Sequence, residues 1–384
     1  MQMIPYGRQS INAADRAAVV AALSGEYLTK GPTIQNFEQA LCDYTGAQFA
    51  VVFNSGTAAL HAAYFALGLK KGDEFITTPL TFAATANAGL YLEAKPVFVD
   101  IDPTTGNLDP AAIESKITKK TRLISVVHYA GNPAELATIR AVAARHNLLV
   151  VDDACHALGA EYESQKIGSL PLCDATILSF HPVKHITTGE GGAVLCHSEA
   201  VYKLLCQFRS HGITKDEQEF QNESDGPWYH EMQFLGFNYR MTDIQAALGM
   251  SQLKRLPQFL EKRRAIADTY RTAFANSAVI ELPVVQSGSL HAYHLFPILL
   301  KPAFASKRKQ FFYELKEQGV GAQVHYIPVS DHPYYRQLGY QSSETPHARS
   351  FYEREISIPL FPALTAVEVK RVVSAVHAAC KHVQ

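Results

Sequence analysis

The sequence predicts an α/β protein, with a mostly parallel sheet covered by helices and a smaller α/β domain after it. Three observations carry this reading. From about residue 48, short β-branched apolar runs alternate with helical segments, and runs lacking polar alternation suit strands buried on both faces. After Ala246 the texture changes to one long helical stretch followed by shorter apolar runs. Finally, 384 residues exceed one typical core, so two domains are expected. They are residues 1–250, a large ligand-binding domain with an N-terminal arm, and residues 251–384, a linking helix with a small C-terminal domain.

The elements follow in order. "FAVVF" (49–53) is a strand, and "SGTAALHAAYFALGL" (55–69) is the alanine-rich helix after it. "DEFITTP" (73–79) precedes the helical "TFAATANAGLYLEA" (81–94). "PVFVDID" (96–102), "RLISVVHY" (122–129), "LLVVDDA" (148–154) and "ATILSF" (175–180) continue the strands. Residues 214–230 are polar and read as a surface loop. Residues 246–274 read as a long helix, interrupted or kinked near Pro257 because proline lacks the N–H that the helix needs. "LHAYHLFPILL" (290–300) and "GVGAQVHYIPV" (319–329) belong to the small domain.

The composition is 47% hydrophobic and 18% charged with a formal net charge of −1, an ordinary globular balance. It gives no reason to expect nucleic acid or an anionic membrane as partner. No apolar run approaches the length of a membrane span, and the N-terminus lacks a signal-peptide layout. Six scattered cysteines without a CxxC pair indicate a reduced cytoplasmic protein. His291 and His294 are spaced i, i+3 but have no cluster around them, so no metal site is expected.

Three stretches carry chemistry. In "FNSGTAALHAA" (53–63) a strand gives way to a helix, and helix N-termini bind phosphate through exposed N–H groups and the dipole. Gly56 permits close approach, and Ser55 and Thr57 offer hydroxyls. An ordinary Ser/Thr cap explains this stretch equally well. In "VVDDACHALGA" (150–160) two carboxylates end a strand, and a buried aspartate needs a cationic partner. A protonated pyridine nitrogen is such a partner, and His156 can lie over a planar ring. For Asp152 the expected role is instead the N-cap of a following helix. In "ILSFHPVKHITTGEGG" (177–192) Lys184 stands between a strand and a glycine-rich turn. A solvated lysine is the ordinary reading; a nucleophilic amine forming a Schiff base is the chemical one. Ser179, five residues earlier, can reach a phosphate near that amine. The order of the three stretches describes a pyridoxal phosphate site.

The sequence resembles the fold-type I aminotransferases, and within them the sugar aminotransferase family (DegT/DnrJ/EryC/StrS type) acting on nucleotide-linked 4-keto sugars. The resemblance spans nearly the whole chain. It rests on "YLTKGP" (27–32), "NSGTAAL" (54–60), "PLTFAATANA" (79–88), "DACHALGA" (153–160), "SFHPVKHITTGEGG" (179–192), "RSHGI" (209–213) and "GFNYRMTDIQAALGMSQL" (236–253). Around Lys184 and in "GVGAQVHYIPV" it is most similar to the pseudaminic acid branch, whose product is UDP-4-amino-4,6-dideoxy-N-acetyl-β-L-altrosamine.

The resemblance implies pyridoxal 5'-phosphate bound by the large domain. Lys184 matches the Schiff-base lysine, Asp153 the carboxylate facing the pyridine nitrogen, and His156 the residue at the ring. Ser55, Gly56, Thr57 and Ser179 match phosphate contacts, and Phe82 lies in the loop flanking the ring. Asn238 matches an asparagine reaching the partner's cofactor phosphate, which implies a homodimer with shared sites. Tyr6, Glu26, Tyr27, Leu28, Thr29, His325 and Tyr326 fall where the subgroup contacts the sugar nucleotide. Cys155 stands where Ala or Ser is common, a change of packing. The implied reaction moves an amino group from L-glutamate to C4 of a UDP-4-keto-6-deoxy-N-acetylhexosamine. The alternatives are another nucleotide-linked keto sugar, dehydratase chemistry, in which a histidine replaces the lysine, or a regulator that binds the cofactor without turnover. His185 is adjacent, but five residues after Ser179 stands Lys184.

Overall fold

A computed structural model describes residues 3–169 and 171–384. Among them, the apolar runs of the first half pair into one seven-stranded sheet. Its strands are β1 (Phe49–Phe53), β2 (Glu74–Thr77), β3 (Lys95–Phe98), β4 (Thr121–Val127), β5 (Leu149–Asp153), β6 (Ala175–Ser179) and β7 (Gly192–Cys196). Their spatial order is β1-β7-β6-β5-β4-β2-β3. Neighbours from β6 through β3 are parallel, and β7 alone runs antiparallel to both of its neighbours. The α/β expectation is borne out. Val51, Ile76, Ile124, Val151 and Ile177 are buried, because helices cover both faces and leave no side for polar residues.

The helices that matter for the site start at the carboxyl edge of this sheet. Helix α1 (Pro32–Thr45) has proline in its first turn and ends on Gly46 at φ +92°, a left-handed cap that favours glycine. Helix α2 (Gly56–Ala66) is capped by Ser55, and α3 (Ala84–Leu90) follows β2. The Arg209 guanidinium of "RSHGI" pairs with Glu38 at 2.5 Å and bonds the Val52 carbonyl at 2.8 Å. That motif therefore anchors α1 to β1.

Residues Asp243–Phe274 form one helix of 32 residues, opened by a Thr242–Gln245 capping box. It runs through Pro257 without the expected interruption. Leu253, Leu256, Phe259 and Leu260 around the proline all pack into the large core, and that burial outweighs one missing hydrogen bond. Farther along, Ile266, Ala267, Tyr270 and Phe274 enter a second core. The 250/251 junction thus lies within a helix that serves both cores.

The second core surrounds an antiparallel sheet of β8 (Ile280–Glu281), β9 (Phe296–Leu300) and β10 (Glu355–Ile358), ordered β8-β9-β10. Helix Ala366–Val383 closes it with Val369, Val372, Val376 and Ala379. Ile4 of the N-terminal arm is buried in this core and bridges to Val320, so the arm reaches the small unit as well as the large one. Residues 214–230 are mostly exposed, as expected of a surface loop.

Candidate active site

Strands β1, β5 and β6 end at the same edge of the sheet, at Phe53, Asp153 and Ser179. Gly192 is paired with both Phe53 and Ser179 and so sits between two of these ends. A Cβ on Gly192 would stand 2.6 Å from the Ser55 carbonyl and 2.7 Å from Gly56 Cα, so only glycine fits. A Cβ on Gly56 would stand 3.1 Å from Ser179 Cβ and Oγ. The last glycine of "TTGEGG" thus lets the start of α2 lie directly against Ser179. Ser55 Oγ accepts the Ala58 N–H at 3.1 Å, the ordinary cap, which leaves the Gly56 and Thr57 N–H groups without intrahelical acceptors.

Asp153 is 5% exposed. Its Oδ2 accepts the Thr85 hydroxyl at 2.7 Å, and Oδ1 accepts the Cys155 N–H at 3.3 Å. Thr81 and Thr85 share a 2.8 Å hydroxyl contact that extends the chain of donors. Asp153 forms no ion pair among the described residues. Asp152 differs. The stretch after it holds turns, not a helix, so the expected N-cap is not formed. Its Oδ1 instead lies 2.6 Å from buried His128 Nε2. His128 Nδ1 accepts the Ala134 N–H at 2.9 Å, which puts the ring proton on Nε2, the nitrogen nearest the carboxylate. The strand carries its two neighbouring carboxylates to opposite faces, one to the sheet edge and one into a structural pair.

Lys184 stands beside Asp153 and Cys155. Burial holds its amine below the ordinary lysine range, against the opposing pull of Cys155 and Asp153. A desolvated lysine has a larger neutral, nucleophilic fraction. Burial, and then the Lys184 charge, holds His156 and His294 well below the usual histidine range. The same two causes lower His325 to about 3. The rings of His156 and His294 are 4.4 Å apart. His156 Nε2 meets the Tyr326 hydroxyl at 3.0 Å, and its Nδ1 is buried without a partner among the described residues.

The structure brings Lys184, Asp153, His156, Tyr326 and His325 together, with Tyr6 5.7 Å from the His325 ring and Phe82 6.3 Å from the Tyr326 ring. Phe82 is exposed. Residues 26–29 are tied elsewhere. The Leu28 carbonyl accepts the Asp243 N–H at 3.0 Å, and Thr29 bridges to Thr242. Glu26, Tyr27 and Leu28 are exposed at the start of the long helix. Asn238 is exposed too, and its backbone carbonyl accepts from Asn54 Nδ2 at 3.4 Å. Sequence reasoning missed Thr81, Thr85 and His294. The two threonines lie inside the quoted "PLTFAATANA", where hydroxyls among alanines were the available signal.

The model of the DegT/DnrJ/EryC1/StrS aminotransferase family matches residues 9–377.

The chain belongs to that family.

A UDP-4-amino-4,6-dideoxy-N-acetyl-beta-L-altrosamine transaminase of Campylobacter jejuni is 40% identical over 371 residues, covering 96% of this chain and 95% of the relative. The structure of Helicobacter pylori PseC, an aminotransferase of pseudaminic acid biosynthesis, superposes with a TM-score of 0.93 at 34% identity, covering 99% of this chain and all of that one. The PLP form of a putative sugar aminotransferase, Spr1654 of Streptococcus pneumoniae, superposes at 0.92 with 30% identity over the full length of both. The fold is that of fold-type I enzymes, and the cofactor of the family is pyridoxal 5'-phosphate. The residues present fit that group. A buried carboxylate without a cation suits a pyridinium nitrogen, a desolvated lysine suits its carbonyl, and the Gly56–Ser179 approach beside a helix N-terminus suits its phosphate. Sugar aminotransferase activity on a nucleotide-linked sugar follows from this membership and these relatives.

Proposed function

We propose that this enzyme transfers an amino group from L-glutamate to C4 of a UDP-4-keto-6-deoxy-N-acetylhexosamine, as in the pseudaminic acid branch. The observation that carries the reading is the convergence at one sheet edge of desolvated Lys184, neutral His156 and a buried Asp153 that is held by Thr85 and forms no ion pair among the described residues. The relatives with 40% and 34% identity named above favour this substrate class.

Bound pyridoxal phosphate supplies an electron sink and carries the amino group between the two substrates. Asp153, held by Thr85, keeps a protonated ring nitrogen paired. His156 packs at the ring, fixed by Tyr326. Gly56, Thr57, Ser55 and Ser179 hold the phosphate. Lys184 holds the cofactor at rest. Its neutral amine would take the α-proton of glutamate in the first half, and in the second half its protonated form would deliver a proton to the sugar. Phe82 flanks the ring. Tyr6, Glu26, Tyr27, Leu28, Thr29, His325 and Tyr326 contact the sugar nucleotide. Asn238 reaches the partner's phosphate, so the enzyme works as a homodimer, in the cytoplasm. Glu26, Tyr27, Leu28 and Asn238 are exposed on their own chain, which leaves them open to a second subunit and supports a site completed across two subunits.

The test is to incubate the holoenzyme with glutamate and individual UDP-4-keto sugars and to identify products by NMR and mass spectrometry. One 4-amino sugar per 2-oxoglutarate is expected. Amination of only other nucleotide sugars, or loss of a hydroxyl in place of amine transfer, would overturn the assignment.

A further inference from the structure

Behind His325 lies a buried carboxyl group that the chemistry above leaves unused. Glu355 and Ser357 alternate along β10, so their side chains leave one face while Ile356 and Ile358 enter the small core from the other. Glu355 Oε2 accepts the His325 backbone N–H at 2.7 Å. Its Oε1 lies 2.5 Å from Ser357 Oγ, which in turn lies 2.8 Å from His325 Nδ1. One carboxyl therefore grips His325 twice, directly at the backbone and through a hydroxyl at the ring. The Tyr129 hydroxyl fixes the same residue from the other side by donating to its carbonyl at 2.7 Å. His325 Nε2, across the ring from Ser357, has no partner among the described residues.

Two self-consistent arrangements follow from the donor inventory. With Glu355 ionised, Ser357 donates to Oε1 and accepts from Nδ1–H, so a neutral ring presents a bare Nε2. With Glu355 protonated at Oε1, it donates to Ser357, Ser357 donates to Nδ1, and Nε2 carries the ring proton. The two arrangements differ by one proton. Uptake at Nε2 passes Nδ1–H to Ser357 and the serine proton to Glu355, so the ring stays neutral.

We infer that Glu355 and Ser357 are positioning residues that set the tautomer of His325, and so decide whether Nε2 accepts or donates a hydrogen bond toward the acceptor sugar. The inference rests on the proposed aminotransfer only in placing that sugar at His325.

The surroundings permit the switch. Burial raises Glu355 to about 8, against the lowering pull of Ser357, the His325 N–H and Arg308. Tyr129 and Tyr326 also lie within reach of its charge, and neighbouring Arg354 is engaged by Glu281 at 2.5 Å. On the His325 side stand Lys184, Tyr6 and Tyr326. Burial keeps the ring neutral, so only its tautomer changes.

The experiment uses holoenzyme labelled with 15N-histidine, with the His325 signals assigned through His325→Gln. Ring nitrogen shifts are followed from about pH 6 to about pH 10, a range that spans the ionisation of a buried carboxyl. In the wild type, the ring should pass from the Nε2–H to the Nδ1–H tautomer as pH rises through roughly 8, the region to which burial moves this carboxyl. Glu355→Gln and Ser357→Ala should each hold one tautomer throughout. In parallel, kcat/KM for the keto sugar should show the same transition in the wild type and lose it in Glu355→Gln, while the glutamate half-reaction keeps its wild-type profile. A tautomer that does not change with pH in the wild type, or one that switches equally in Glu355→Gln, would overturn the relay. A switching tautomer in an enzyme that aminates no UDP-keto sugar would uphold the relay and overturn the proposed function instead.

Discussion

The Tyr326 hydroxyl lies 3.0 Å from His156 Nε2, joining the segment that bridges the small sheet at Gln323 and Ser357 to the strand-end cluster beside Lys184. Burial pushes the Tyr326 phenol well above its ordinary range, so it remains a neutral hydrogen-bonding group. His156 therefore has its orientation set by a residue 170 positions away.

Tyr326→Phe should keep the fold and the ring contact but release His156 Nε2. One neutral hydrogen bond is worth about 0.5–1.5 kcal/mol, so kcat/KM should fall roughly 2- to 10-fold. Steady-state kinetics with the accepted keto sugar measure this, and an unchanged kcat/KM would mean His156 needs no such anchor.

The two adjacent aspartates should separate cleanly. Asp153→Asn removes the charge proposed to hold the ring nitrogen and should reduce turnover by on the order of 10²-fold or more with little loss of stability. Asp152→Asn weakens the His128 pair and should lower unfolding free energy by about 1–3 kcal/mol while the folded enzyme keeps its turnover. Activity and denaturant melts on both variants decide the matter. Equal activity losses would assign the wrong carboxylate.

These aspartates also show how far the sequence could be read. Strands β1 to β6 were legible because each is a continuous apolar run, the only pattern that a sheet buried on both faces allows. Lys184, Asp153 and Ser179 were legible as candidates because polar residues at the ends of such runs have no packing role. The partner of Asp152 was not legible. His128 follows the neighbouring strand, and only the sheet register brings the two together. Nor was the antiparallel sense of β7, since "GAVLC" reads identically in either direction. Pro257 signalled a break that did not occur, because burial on both sides of it is a tertiary fact. Glu355 and Ser357 left the alternating trace "EISI", which shows a shared face but not what that face meets.

Gly56→Ala tests the phosphate cup. The new Cβ would stand 3.1 Å from Ser179 Cβ and Oγ, tight enough to push α2 off β6. Cofactor affinity, measured by titration of the apoenzyme, should weaken by roughly tenfold, about 1.4 kcal/mol, with a smaller change in melting temperature. Wild-type affinity would place the phosphate elsewhere.

Asn238 tests the shared site. Losing one donor to a phosphate dianion should reduce cofactor binding by roughly 1.5–3 kcal/mol. Asn238→Ala and Lys184→Ala homodimers should be poorly active and inactive, respectively. A mixed dimer restores one complete site, in which the Asn238→Ala chain supplies Lys184 and its partner supplies Asn238. Near-wild-type turnover of that site is expected after verified heterodimer formation. No recovery would mean that Asn238 acts within its own chain.

The most direct measurement is a single half-reaction. Holoenzyme mixed with L-glutamate alone, without any sugar, should release close to one 2-oxoglutarate per chain and shift the cofactor spectrum. Borohydride added before glutamate should fix the cofactor to Lys184 and block the release. Lys184→Ala should release none on the same timescale. An unchanged spectrum with no 2-oxoglutarate from the wild type, or borohydride labelling of another lysine, would contradict the assignment of this sheet edge as an aminotransferase site.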